Sequence, residues 1–94
     1  MSNYDECAQI LKAIAHPVRI RILGELITRK KCNVNQLVGI LELPQSTVSQ
    51  HLAKLKAHKI ITNERKGLEV YYSASNKKMN AIIEILLDKK LSHF

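Results

Sequence analysis

Apolar positions in the first half of the chain recur at three- and four-residue steps, the spacing of helices with one inward side. Cys7, Ile10, Leu11 and Ile14 form such a stripe and predict a first helix from about Tyr4 to Ile14. Pro17 restricts His16 to an extended backbone, so a second helix opens near Pro17. Its inward residues are Ile20, Ile22, Leu23, Leu26 and Ile27, and its outer ones Arg19, Arg21 and Glu25. Arg29-Lys30-Lys31 closes it, with positive charge at the negative end of the helix dipole. Asn33 and Gln36 have capping-box spacing and predict a third helix from Val34 to about Glu42, burying Leu37, Val38 and Leu41. Leu43-Pro44 makes a tight connection into a fourth helix. Pro17 and Pro44 both suit a first helical position, where a missing N–H costs nothing. Two short helices joined in this way make a helix-turn-helix.

After His58 the period changes. Ile60–Lys66 and Glu69–Ala74 are rich in β-branched or aromatic residues, and Lys66-Gly67-Leu68 supplies a turn, which predicts a β-hairpin. Val70, Tyr71 and Tyr72 alternate across the strand, so at least one tyrosine belongs in the core. A fifth helix is expected from Asn76 to about Leu91, with a wide apolar side of Met79, Ile82, Ile83, Leu86 and Leu87. The fold class is therefore mainly α with a β-hairpin wing (α+β). Four helices, two strands and a helix follow one another as a winged helix-turn-helix. No repeat, low-complexity tract or linker divides the chain, so residues 1–94 read as a single domain.

The fourth helix has two incompatible sides. At about 100° per residue, Val48, Leu52 and Leu55 fall together and point inward. Ser46, Ser49, Gln50 and Ala53 fall opposite. A merely solvated side usually carries Lys and Glu, which are good helix formers. Short hydroxyl and amide groups instead let a helix lie close to base edges and exchange hydrogen bonds there. The segment reads as a DNA-recognition helix. Gln45, Ser46, Thr47, Ser49 and Gln50 are the candidates for base edges or phosphates. Gln50 has the two-point geometry for adenine, and Ser46 and Thr47, at the helix N-terminus, suit a phosphate equally well. His51 is expected to pack rather than touch the DNA backbone. Lys54 and Lys56 meet phosphate or only solvent. Arg65 and Lys66, at the hairpin tip, are placed for the DNA backbone or a narrow minor groove.

Composition supports this reading. Fifteen basic residues stand against eight acidic ones, a net charge of +7 that favours polyanions. The apolar share of 46% is ordinary for a globular chain, yet a monomer of 94 residues buries only a modest core. The stripes of the first and last helices exceed what it covers. No apolar run approaches the roughly 18–20 residues of a membrane span. The polar, acidic start of the chain is not a signal peptide, so a cytoplasmic protein is expected. Two cysteines, Cys7 and Cys32, make no disulfide framework.

Three strings go further: LKAIAHPVRIRILGEL (Leu11–Leu26), LPQSTVSQHLAKLK (Leu43–Lys56) and ERKGLEVYYSAS (Glu64–Ser75). In this order and at these separations the chain resembles the ArsR/SmtB family of bacterial repressors over nearly its whole length. Within that family it is similar to the PagR-type subgroup. The resemblance implies a homodimer built on the first and last helices. Tyr4, Cys7, Leu11, Met79, Ile82, Ile83, Leu86 and Leu87 would then form its interface. It also implies repression by occupancy of a palindromic operator in double-stranded DNA. A two-fold axis would set the two recognition helices about one DNA turn, ~34 Å, apart.

Many relatives sense metals through a Cys-x-Cys pair at the start of the third helix. Here Asn33 and Asn35 hold the two thiolate positions, and Cys32 alone makes no site. Where other relatives place last-helix ligands this chain has Asn76-Lys77-Lys78, and His93 stands alone. No metal and no cofactor is expected.

Two further readings stand beside the repressor. In one, Cys7 and Cys32 form a thiol switch. The bland account makes Cys7 a small core hydrophobe and Cys32 an incidental exposed thiol. In the other, a protein–protein adaptor has kept the fold and lost its operator. Catalysis has no support: there is no Gly-rich phosphate loop and no nucleophile motif. His16, at a helix opening, reads as a cap or hinge rather than a base.

Overall fold

The computed structural model describes residues 3–88. Chain order is α1 (Asn3–Ile14), α2 (Pro17–Arg29), β1 (Cys32–Asn33), α3 (Val34–Leu41), α4 (Gln45–Ala57), β2 (Thr62–Lys66), β3 (Glu69–Ser73) and α5 (Lys77–Leu87). Ile22, Leu23 and Leu26 of α2, Leu37 and Leu41 of α3, and Val48, Leu52 and Leu55 of α4 meet in one core. Ile60, Ile61, Met79 and Ile83 close it. The central inner residues of α2 and those of α4, with Leu37 and Leu41 of α3, thus bury where their spacing places them, whereas Val38 is half-buried, and non-directional apolar burial is what holds these helices together.

Local signals set the helix ends. Pro17 takes the first helical position of α2, and His16 caps it by accepting the Val18 N–H at Nδ1, 3.1 Å. The capping box at α3 is complete: Asn33 Oδ1 accepts from the Gln36 N–H, and Gln36 Oε1 accepts from the Asn33 N–H, each at 2.8 Å. The turn to α4 is made by Glu42, whose φ of 56° is left-handed, with its N–H on the Val38 carbonyl at 2.8 Å. Pro44 sits one position earlier than expected, at the cap rather than inside α4. Its carbonyl still accepts the Val48 N–H at 3.1 Å. Gly67 takes φ +63° in the hairpin turn, where a side chain would be strained.

The sheet holds one strand more than the hairpin. Its order is β1-β3-β2, all antiparallel, with Cys32 opposite Tyr72 and Asn33 opposite Tyr71. This two-residue strand reverses the bland expectation for Cys32, and the placing of α1 reverses that for Cys7. Cys32 is 1% exposed because it faces the core from β1. Cys7 is exposed, on the side of α1 that opens onto a cleft beside α5. Ile60 and Ile61, expected in the first hairpin strand, precede β2 as buried core residues. Tyr72 packs on the core, as one tyrosine was expected to do.

The last helix is shorter than expected. It stops at Leu87, and Asp88 takes an extended backbone, φ −67° and ψ 120°. Asp is a poor helix former, and its charge opposes the dipole at a C-terminus. Leu91, the expected end, and His93 lie outside the described residues.

Candidate nucleic-acid interface

Helix α4 is held by Val48, Leu52 and Leu55, all buried. Because these fall on one side, the opposite side is left to solvent. Gln45, Ser46, Ser49, Gln50, Ala53 and Lys54 are exposed, and Thr47 is half-buried. No acidic residue lies in the first turn, and Pro44 supplies no side-chain cap. The opening amides of α4 therefore keep unsatisfied donors at the positive end of the dipole, a preformed place for an anion.

The hairpin stands beside this helix. Gln45 opens onto the same cleft as Leu68, Glu69 and Val70, with Asn33, Val34 and Asn35 as its floor. Every residue of β2 is exposed, including Arg65 and Lys66. Leu68, at the tip, is 97% exposed. Lys66 pairs with Glu64 at 3.7 Å. Lys31 lies over the Tyr71 ring, 5.4 Å from its centre. Lys66 crowds the Lys31 ammonium and holds its pKa below the usual lysine value. Lys31 was not among the sequence candidates, because its nearness to Lys66 depends on β1 pairing beside β3.

His51 packs, as expected, but with a partner that the sequence pattern hid. Arg19, read as an outer residue of α2, is half-buried and donates from Nε to His51 Nδ1 at 3.1 Å. Burial, then the neighbouring His16 and Arg19, push the His51 pKa below its ordinary value.

The other expected surface lies away from the wing, on α1 and α5. Tyr4 is 86% exposed and Leu86 58%, and Leu11, Ile82, Ile85 and Leu87 are exposed with them. An apolar cleft of about 230 Å³ runs between the two helices past Cys7, Leu11 and Ile82. Met79 and Ile83, counted on this surface from periodicity, are buried in the subunit's own core. A wide helical stripe has an inner edge, and these two residues are that edge. Ile85 takes a place on the exposed side that the sequence reading missed.

Both cysteines are free thiols, Cys7 exposed and Cys32 buried. Burial pushes the Cys32 thiol up, which disfavours its thiolate, the nucleophilic form. Among the described residues no three His, Cys, Asp or Glu side chains gather as a metal site would require. Among them, too, no helix is long and apolar enough to cross a membrane.

Comparison with known proteins adds to this geometry. The pattern of the family described as "Bacterial regulatory protein, arsR family" matches residues 16–62. The transcriptional repressor PagR of Bacillus anthracis is 49% identical over 84 residues, which span 89% of this chain and 84% of PagR. Its crystal structure superposes with a TM-score of 0.82 and 48% identity, covering 88% of this chain and 94% of that one. HlyU from Vibrio cholerae superposes with a TM-score of 0.84 at 34% identity, covering 90% and 91% of the two chains. The relative of that name is described as a transcriptional activator.

Proposed function

The chain belongs to the arsR family of bacterial regulatory proteins, DNA-binding transcriptional regulators rather than enzymes, and from that premise we propose that it is a homodimeric repressor seated on a palindromic promoter site. One observation carries the reading: the exposed side of α4 is uncharged and uncapped at its start, and at Gln45 it borders the same cleft as the hairpin that carries Arg65 and Lys66. Gln45, Ser46, Thr47, Ser49 and Gln50 face base edges and the nearest phosphates. Lys54, Arg65 and Lys66 supply counter-charge along the flanking backbone. The exposed apolar side of α1 and α5 (Tyr4, Cys7, Leu11, Ile82, Leu86, with Leu87 at its margin) supports pairing with a second copy. Occupancy of the promoter by that dimer, in the cytoplasm, blocks transcription without a metal or cofactor.

Selection of bound duplexes from a random pool tests this. The expected product is a two-fold symmetric sequence with half-sites about one helical turn, ~34 Å, apart. Its affinity should fall steeply and linearly in log–log form with salt as several phosphates per dimer release counterions. A protein that recovers no duplex at low ionic strength, or whose preferred site lacks symmetry, overturns the proposal.

A further inference from the structure

Arg19 stands at the third position of α2. A cation there opposes the helix dipole, which favours negative charge at an N-terminus. A residue that breaks a local rule calls for a compensating partner, and Arg19 has two. Its Nη1 donates to the Ala13 carbonyl at 3.0 Å, satisfying an acceptor in the last turn of α1. Its Nε donates to His51 Nδ1 at 3.1 Å, near the middle of α4. The rings of His51 and His16 lie 4.6 Å apart, and His16 is itself held by the Val18 N–H. One guanidinium thus ties the end of α1 and the start of α2 to the helix that presents Gln50 and Thr47.

His51 lies one residue after Gln50 and one turn after Thr47. Val48, Leu52 and Leu55 seat α4 on the core, and a tether on the His51 ring adds a lateral restraint on its rotation about its own axis. Side-chain tips lie about 6 Å from a helix axis, so a turn of ~10° moves them by about 1 Å. Hydrogen bonds to base edges do not survive a misplacement of that size, since the usable range of donor–acceptor distances spans only about half an ångström.

We infer that Arg19, acting through His51, is a positioning residue that sets the angle at which α4 presents its polar side to DNA. This deepens the proposed function and rests on it. The contact needs the Nδ1 lone pair, so His51 works as the neutral ring with its proton on Nε2.

The test compares wild type with Arg19→Met, His51→Leu and His51→Asn. Each is measured for affinity toward the duplex that wild type selects from a random pool, for salt dependence and for thermal midpoint. Arg19→Met keeps the aliphatic stem without donors. His51→Leu keeps volume without the acceptor, whereas His51→Asn places an amide oxygen where Nδ1 was. Arg19→Met and His51→Leu should each bind the selected duplex about tenfold more weakly, roughly the value of one lost hydrogen bond. The double variant should be little worse than either, because both remove the same bond. His51→Asn should recover most of the loss. The salt slope should stay that of wild type, because no phosphate contact is removed.

Wild-type affinity in both Arg19→Met and His51→Leu overturns the inference while leaving the DNA-binding reading intact. So does a shallower salt slope in Arg19→Met, which would mean that Arg19 meets a phosphate itself. A His51→Asn variant as weak as His51→Leu has the same consequence. If His51→Leu does not fold, Arg19→Met and His51→Asn decide the question. A wild type that selects no duplex removes the proposed function and this inference together.

Discussion

Helices α4 and α5 use one side alike and the other differently. Each buries a short apolar stripe in the same core: Val48, Leu52 and Leu55 from α4, Met79 and Ile83 from α5. On its outer side α4 shows Gln45, Ser46, Ser49 and Gln50 to solvent, whereas α5 shows Ile82, Ile85 and Leu86. The buried sides explain why both are helices of this fold. In the proposed function the outer sides meet different partners, one through hydrogen bonds and the other through loss of apolar surface from water.

The largest way to break the contrast is to charge the apolar side. Leu86→Asp should turn a dimer into a monomer in sedimentation experiments, since two copies forgo about 3–6 kcal/mol of apolar burial between them. The shared sides should answer alike: Leu52→Ala and Ile83→Ala each cost about 2–5 kcal/mol in denaturant unfolding, because both side chains are fully packed. A marked inequality between them would show that one helix is held by something other than the core. A smaller effect belongs to the polar side. Gln50→Ala should weaken the selected duplex by about 1–3 kcal/mol in equilibrium titration and relax preference at one base pair, leaving stability unchanged.

The smallest effect is titration of the α4 side that faces α2. The His51 pKa is depressed in the folded protein, so the unfolded chain binds its proton first. The His51 contribution is therefore complete above the unfolded value of about 6.5 and declines as pH falls from there toward the lower folded value. Unfolding curves across that window should show stability dropping on acidification, with a shallower drop in His51→Asn. An unaltered drop in that variant would assign the effect elsewhere.

Much of this was legible before any coordinates. The capping box at Asn33, the stripe of α4 and the hairpin turn at Gly67 are short-range signals, each stated within a few residues. What escaped was long-range or too short to have a period. A two-residue strand carries no alternation, so nothing marked Cys32 as buried. Arg19 looks outward by helical phase, and only the approach of His51, thirty-two residues later, turns it inward. Periodicity likewise made Met79 and Leu86 equivalent on α5, although one is buried and the other exposed. Which edge of a wide stripe is covered depends on where neighbouring helices lie.

Asn33 closes β1 opposite Tyr71, caps α3 with its side-chain oxygen and hydrogen-bonds Glu69 on the wing with its side-chain nitrogen. One amide thus joins the short strand, the helix that precedes α4 and the wing. In the proposed complex, a wing tied to α3 in this way would keep its spacing as the double helix approaches. Deformation would then fall to the duplex, and the ease with which a base sequence flexes would become part of what is read, including at steps no side chain reaches.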